Sequence, residues 1–421
     1  MKCFITDIHV HSPYSRATSS NMRPDILSKY AKLKGINLLG TGDILHPEYR
    51  RELKKILKER GDGYFEVNEV LFILTTEISL VFLKEGKVRK IHIVLTFPDF
   101  ITVEKLEKKL SLYGSLTSDG RPTLSLDTVR FIEIIREISK DIMIIPAHIW
   151  TPWFSLFGSN SGFDSLEEAF ENYISEITAL ETGLSSDPEM NWMLSSLDKF
   201  SLVSNSDSHS PDRIGREANV FKGYLSYKEL KEVLEKKDKE KFLFTIEFFP
   251  EEGKYHYDGH RNCGISLHPE ESKKLNYICP KCGRLLTVGV LSRVYKLADR
   301  EMGYKPSDYI PYKNLVPLKE IISQAIGKSE NTKETEKIWE ILIKKFENEI
   351  NVLMDVSYEE ISKTVDSRIA LGIKNMREGK VKKIPGYDGV YGIIKVYEDI
   401  EVKIVERDED NEEREPQMSL F

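Results

Sequence analysis

The chain has 421 residues, 40% of them apolar and 31% charged, which suits a soluble globular protein large enough for two or three domains. No apolar run approaches the roughly 20 residues that span a bilayer, and the start MKCFITDIHV is too short and too polar for a secretory signal, so the expectation is a cytoplasmic protein with no membrane partner. The formal charge of −7 excludes little, because the run ERDEDNEERE at 406–415 holds seven acids against two arginines and leaves the remainder nearly neutral.

From the N-terminus to about residue 250, short apolar runs alternate with helix-period stretches. The runs are CFITDIHV, INLLGTGD, VLFILTTEIS, IHIVLTF, DIMIIPAH, ITALET and FSLVSNSDSH; between them lie PDILSKYAKLKG, SLDTVRFIEIIREISK, DSLEEAFENYI and SYKELKEVLEKK. About seven repeats of strand and helix predict an α/β protein with a parallel sheet closed into a barrel. His9 and His11 are two residues apart, so strand geometry turns both to one face. Asp43, Glu77, His92, His148 and Glu181 follow at the ends of successive runs, and Asp207 with His209 at the last. Sites assemble at the carboxyl ends of strands in such folds, so the pattern predicts a metal-binding cleft. Imidazole with carboxylate suits zinc, manganese or iron, and the carboxylates also accept magnesium.

Residues 251–290 form a separate unit. HRNCG and CPKCG each place a ligand, two residues, a cysteine and a glycine in order. His260, Cys263, Cys279 and Cys282 would complete a structural Zn²⁺ tetrahedron, with His268 as the rival fourth ligand. Residues 291–400 read as mostly helical. Ser357 and Glu360 predict a capping box for one helix with Ile361, Val365, Ile369 and Ile373 on one face. RIALGIKNMREGKVKK at 368–383 carries six basic residues and one acid, and Arg368, Lys374, Arg377, Lys382 and Lys383 are candidate phosphate contacts. IPGYDGVYG adds Tyr387 and Tyr391 for stacking. Residues 401–421 form a tail expected to be disordered.

Within the barrel, three loops carry further nucleic-acid candidates: Trp150 and Trp153 after His148, Ser185, Ser186, Asn191 and Trp192 after Glu181, and Arg213 and Arg216 after His209. Aromatic rings with amide and hydroxyl groups suit an extruded base, and the arginines suit passing phosphates.

The order HxH, Asp, Glu, His, His and D-x-H resembles the polymerase and histidinol phosphatase (PHP) superfamily over about the first 250 residues. That resemblance implies a distorted (β/α)7 barrel, similar to a TIM barrel, whose multinuclear metal centre hydrolyses phosphoesters. Many trinuclear members carry another ligand a few residues after HxH, and a His directly after the Asp of the second motif. Here those places hold Ser15, Arg16, Ala17 and Ile44, with His46 nearby, so two metals are expected and a third is weak or absent. On this reading His9, His11, Glu77 and Asp207 hold one metal, and Glu77 bridges to a second bound by His92 and His148. Asp43 and His209 hold a third ion or act as acid and base, and Glu181 is a further ligand or an orienting group. Arg16 would supply a fixed charge in place of a third ion and grip DNA phosphate.

QMSLF at the end of the tail is similar to the peptide that repair enzymes present to sliding clamps of the PCNA type, with Gln417, Leu420 and Phe421 as anchors. Barrel, zinc module, basic helical region and tail together resemble the endonuclease Q family of archaeal DNA-repair enzymes. The family implies cleavage of duplex DNA on the 5′ side of deaminated bases (uracil, hypoxanthine, xanthine) and of abasic sites, leaving 3′-hydroxyl and 5′-phosphate ends. Zn²⁺ is expected in the structural module and in the barrel, with Mg²⁺ or Mn²⁺ serving catalysis. The alternatives are a small-molecule phosphatase on the same barrel and a non-catalytic, clamp-recruited DNA-binding adaptor.

Overall fold

The structure is a computed structural model, and it describes residues 3–397. Seven strands follow one another around a ring: Cys3–Asp7, Leu38–Gly40, Val70–Lys84, Lys87–Phe97, Met143–Pro146, Leu180–Glu181 and Leu202–Val203. The first three pair in parallel, as do the last two. Thr178 N donates to Ile144 O at 2.9 Å and joins the fifth strand to the sixth. A parallel bridge between Val10 and Ser208 closes the ring on the first strand.

The expectation of an all-parallel sheet is corrected at the fourth strand. It runs antiparallel to both of its neighbours. The physical reason is the connection: Glu85 and Gly86 have φ of 54° and 74°, the geometry of a two-residue hairpin turn whose twist matches the flanking strands. A link that short has no room for the crossover helix that a parallel pair needs.

Helices cover the outside of the ring, each for readable reasons. Pro24–Lys34 starts on a proline and an acidic first turn, ends on lysines and a left-handed Gly35, and buries Leu27 and Ala31 at i, i+4 spacing against the barrel. Both are fully buried, so Leu27→Ala would cost about 2–5 kcal/mol. On the far side of the first strand, Ala218–Lys222 and Phe242–Glu247 add antiparallel, and Tyr312–Asn314 adds in parallel. The region after residue 291 therefore contributes a strand to the barrel's own sheet.

The helix expected from Ser357 is also corrected. The capping box forms, but its helix is only Tyr358–Ser362, and Asp366 caps a second helix, Ser367–Arg377. Gly372 lets that second helix pack closely, since a Cβ there would lie 2.5 Å from the Tyr397 hydroxyl and 2.9 Å from Ile321. The acidic tail and the residues Gln417, Leu420 and Phe421 lie outside the described residues. No helix among the described residues is long and apolar enough to cross a membrane.

Candidate metal centre and nucleic-acid interface

The donor residues converge at the mouth of the ring. Asp43, His148 and Asp207, each just past a strand end, have φ of 45°, 30° and 47°. Such left-handed conformations are uncommon for residues other than glycine, and they cluster where the surrounding fold over-determines a functional side chain. Gly183 is required for a related reason: a Cβ there would lie 2.4 Å from that of His148.

Two donor sets result. Atoms of His9, His11, Glu77 and Asp207 lie within 4.8 Å of one another, as do atoms of Glu77, His92 and His148. Glu77 belongs to both. Its Oε2 faces His11 Nε2 at 3.3 Å and His9 Nε2 at 3.7 Å, and its Oε1 faces His92 Nδ1 at 2.7 Å and His148 Nε2 at 2.9 Å. Asp207 Oδ1 completes the first set at 3.0 Å from His11 Nε2.

Each imidazole is held from behind through its other nitrogen. His9 Nδ1 meets Glu181 at 3.0 Å, and His11 Nδ1 meets Asp43 at 3.3 Å. His92 Nε2 meets Ser79 Oγ at 2.7 Å, and His148 Nδ1 meets Thr151 Oγ1 at 3.3 Å. Such partners fix ring orientation and tautomer in metal sites. His9 Nε2 is buried with no hydrogen-bond partner, a cost that a protein rarely carries unless the atom serves another bond. The residues therefore fit a pair of divalent cations that share Glu77.

The electrostatics agree. Burial alone would raise the Glu77 carboxyl, but His92, Arg121 and His9 hold it well below the usual range. Asp207 is likewise held well below its ordinary value against burial by His9, His11 and His209. Burial works against charge on His9, yet Glu181, Asp207 and Glu77 push its pKa well up. The opposite charges stabilise one another, so both carboxylates stay ionised despite their burial.

Several expected roles change. Asp43 Oδ2 accepts from Ser12 N, Ser12 Oγ and Ser15 Oγ at 2.7, 2.6 and 2.9 Å; with that oxygen engaged and Oδ1 on His11 Nδ1 at 3.3 Å, the geometry favours an orienting role for it. Glu181 accepts from His9, from His148 N at 2.9 Å and from Asn205 Nδ2 at 2.9 Å, so of its two expected roles the geometry favours orientation. His209 stands at the edge, its ring 4.4 Å from that of His11 and its Nδ1 on the Asp207 carbonyl. His46 caps the helix Pro47–Ile56 and stacks on Tyr14, away from the donors. Arg16 is 81% exposed and pairs with Asp119 at 3.3 Å. The guanidinium that reaches the centre belongs to Arg121, whose Nη1 is 3.3 Å from Glu77 Oε2. No spacing rule marks the loop SDGRP, so sequence reasoning missed it.

The second cluster gathers His260, Cys263, Cys279 and Cys282 within 4.8 Å, with His260 Nδ1 3.3 Å from Cys282 Sγ. His268 instead caps the helix Pro269–Lys274. The four donors suit a structural Zn²⁺. Asp258 ties this module to the following helix by accepting from Gly289 N and Ser292 Oγ.

The nucleic-acid candidates divide. Trp150 is 1% exposed and donates its indole N–H to Asn191 Oδ1 at 2.7 Å. Asn191 Nδ2 donates to Ser186 Oγ and to Asp187 O, and Trp192 is buried against Tyr309 and Tyr312. Those four are buried in the loops that follow His148 and Glu181. Arg216 spends two nitrogens on the Ser206 carbonyl, and Arg377 caps the carbonyls of Val352 and Leu353. Tyr387 is half-buried against Gly259, where a Cβ would lie 2.3 Å from its ring. Lys383 pairs with Glu251 at 2.7 Å. Arg213, Arg368, Lys374 and Lys382 remain exposed, and Ser185 is half-buried. Trp153 is 46% exposed and stands 5.3 Å from the Tyr255 ring.

The family model described as the MJ0043 C-terminal domain matches residues 317–380. The uncharacterised protein MJ0043 of Methanocaldococcus jannaschii is 37% identical over 253 residues, which is 58% of this chain and 31% of that one; the chain thus spans about a third of that relative. The crystal structure of the lesion-specific endonuclease PfuEndoQ from Pyrococcus furiosus matches with a TM-score of 0.85 and 36% identity, over 96% of this chain and 98% of that one. The chain belongs to the endonuclease Q family. Its membership makes it a DNA endonuclease. A second endonuclease Q structure, in complex with a 27-mer duplex carrying an abasic lesion at the active site, matches with a TM-score of 0.83 and 35% identity, over 96% of this chain and all of that one.

Proposed function

We propose that this endonuclease Q family member nicks duplex DNA on the 5′ side of a damaged nucleotide, either an abasic site or a deaminated base such as uracil, hypoxanthine or xanthine, and leaves 3′-hydroxyl and 5′-phosphate ends. The observation that carries the chemistry is Glu77, one buried carboxylate shared by two sets of donors. His9, His11, Glu77 and Asp207 would hold one divalent cation, and Glu77, His92 and His148 the other, as zinc, magnesium or manganese. Held by these residues, two such ions would supply Lewis-acid chemistry: a more acidic bound water and neutralisation of charge on the phosphate oxygens. The chain's own contribution is orientation: Glu181, Asp43, Ser79 and Thr151 aim the four imidazoles. His209 keeps its Nδ1 on a backbone carbonyl, which leaves Nε2 to hold or release a proton at the edge of the cleft.

The abasic-lesion complex of a relative 35% identical supports the lesion assignment, and the exposed Trp153 ring supports stacking on a base unstacked at or beside the lesion. The zinc module would anchor the helical region to the barrel, and the QMSLF end would tether the enzyme to a sliding clamp. Labelled duplexes carrying an abasic site, uracil, hypoxanthine or no lesion, incubated with Mg²⁺, Mn²⁺ or Zn²⁺, test the reading. Nicks are expected one phosphodiester 5′ of the lesion. Equal cleavage of undamaged DNA would overturn it.

A further inference from the structure

Arg121 sits on the carboxylate that both donor sets share. Its Nη1 lies 3.3 Å from Glu77 Oε2, and its side chain is 34% exposed where that of Glu77 is 0%. An anion entering the cleft therefore meets the guanidinium before it meets the carboxylate. Glu77 engages one nitrogen of a fork with five N–H donors.

The loop that delivers Arg121 is fastened to the same elements that hold the donors. Gly120 N donates to Tyr14 O at 2.9 Å, and Ser79 N, beside the hydroxyl that steadies His92, donates to Pro122 O at 3.0 Å. Asp119 Oδ1 accepts from Arg121 N at 3.0 Å. A Cβ on Gly120 would stand 2.4 Å from Asp43 Oδ2 and 2.5 Å from Ser15 Oγ, so the turn can approach the HxH loop only as glycine. The loop is thus pinned on both flanks, and the Glu77 contact directs the guanidinium into the cleft.

We propose that Arg121 grips the non-bridging oxygens of the scissile phosphodiester and stabilises the charge that gathers there as the 3′-oxygen leaves. This rests on the nuclease reading above. The competing role is purely internal, with Arg121 neutralising Glu77. The two separate by experiment. In wild-type background, Arg121→Ala is expected to lower kcat about 10²-fold. In an Asp207→Asn background, chosen so that duplex is bound without being nicked, the same change is expected to raise Kd for an abasic-site duplex about tenfold and to reduce the slope of log affinity against log salt by about one. Arg121→Lys should recover part of the affinity and little of the rate, because an ammonium lacks the fork. Metal content should match the parent.

Unchanged Kd and salt slope would overturn the proposal, as would loss of metal from Arg121→Ala with activity restored by added Mn²⁺. Failure of the wild type to nick the abasic duplex would instead sink the underlying reading. Nicking by the wild type with Arg121→Ala indistinguishable from it would sink the Arg121 role alone.

Discussion

The mouth of the barrel and the loops that follow His148 and Glu181 both bury polar side chains, and the fold uses them in opposite ways. At the mouth, each of four imidazoles has one nitrogen tied back and one turned toward Glu77 or Asp207. In the loops, Trp150, Asn191 and Ser186 spend their polar atoms on one another and on nearby carbonyls. A buried polar group whose hydrogen bonds are complete is architecture, whereas one with an atom to spare is available for chemistry. Position in the chain alone does not separate the two cases.

Glu77 tests the first region hardest. Glu77→Gln keeps the shape and removes the charge shared by both donor sets, so nicking should fall by at least about 10³-fold, and bound metal measured by elemental analysis should fall with it. A variant that nicks within tenfold of wild type would remove the basis for a shared carboxylate.

Asn191→Ala tests the second region. The buried indole N–H of Trp150 would lose its acceptor, and Ser186 and the Asp187 carbonyl would lose a donor. Stability should drop by about 2–4 kcal/mol, read from the midpoint of denaturant unfolding, while the rate per folded molecule stays at the wild-type level. A folded, fully stable Asn191→Ala protein that no longer nicks would place these loops in the site after all.

What the sequence revealed follows from local geometry. The donors after the parallel strands were legible because a strand has a two-residue period and parallel strands end on one side, which brings HxH, His148 and Asp207 together; Glu77 and His92 instead join them from within two long antiparallel strands. The direction of the fourth strand was hidden because KEGK looks like any polar connection until Glu85 and Gly86 are seen to share positive φ. Asp43 looked like a ligand because its engagement by Ser12 and Ser15 depends on how the HxH loop turns back, which spacing does not encode. Arg121 was invisible for the same reason: its contact with Glu77 spans 44 residues and depends on Gly120 docking against Tyr14.

Trp153 sharpens the contrast from within the aromatic loop itself. It lies three residues from Trp150, yet it is 46% exposed while Trp150 is 1% exposed. Trp153→Ala should leave stability within about 0.5 kcal/mol and weaken binding of a uracil-containing duplex by about 1–2 kcal/mol, the scale of one stacking contact, measured by fluorescence anisotropy. Weakened folding with unchanged affinity would return Trp153 to the architectural group.

The smallest effect is expected at Arg16, the basic residue that the HxH motif itself brings to notice. Its side chain is 81% exposed, and its partner is Asp119 rather than any metal donor. An exposed ion pair of this kind is screened by water and salt and contributes about 0–1 kcal/mol. Arg16 can also swing away from DNA without disturbing the centre, whereas Arg121 is pinned against it. Arg16→Ala should therefore change kcat less than about twofold and shift the salt slope of binding by less than one. An Arg16→Ala defect as large as that of Arg121→Ala, in both rate and salt slope, would mean that the loop carries phosphate on its outer face as well. The distinction between a charge built into the centre and one displayed beside it would then fail.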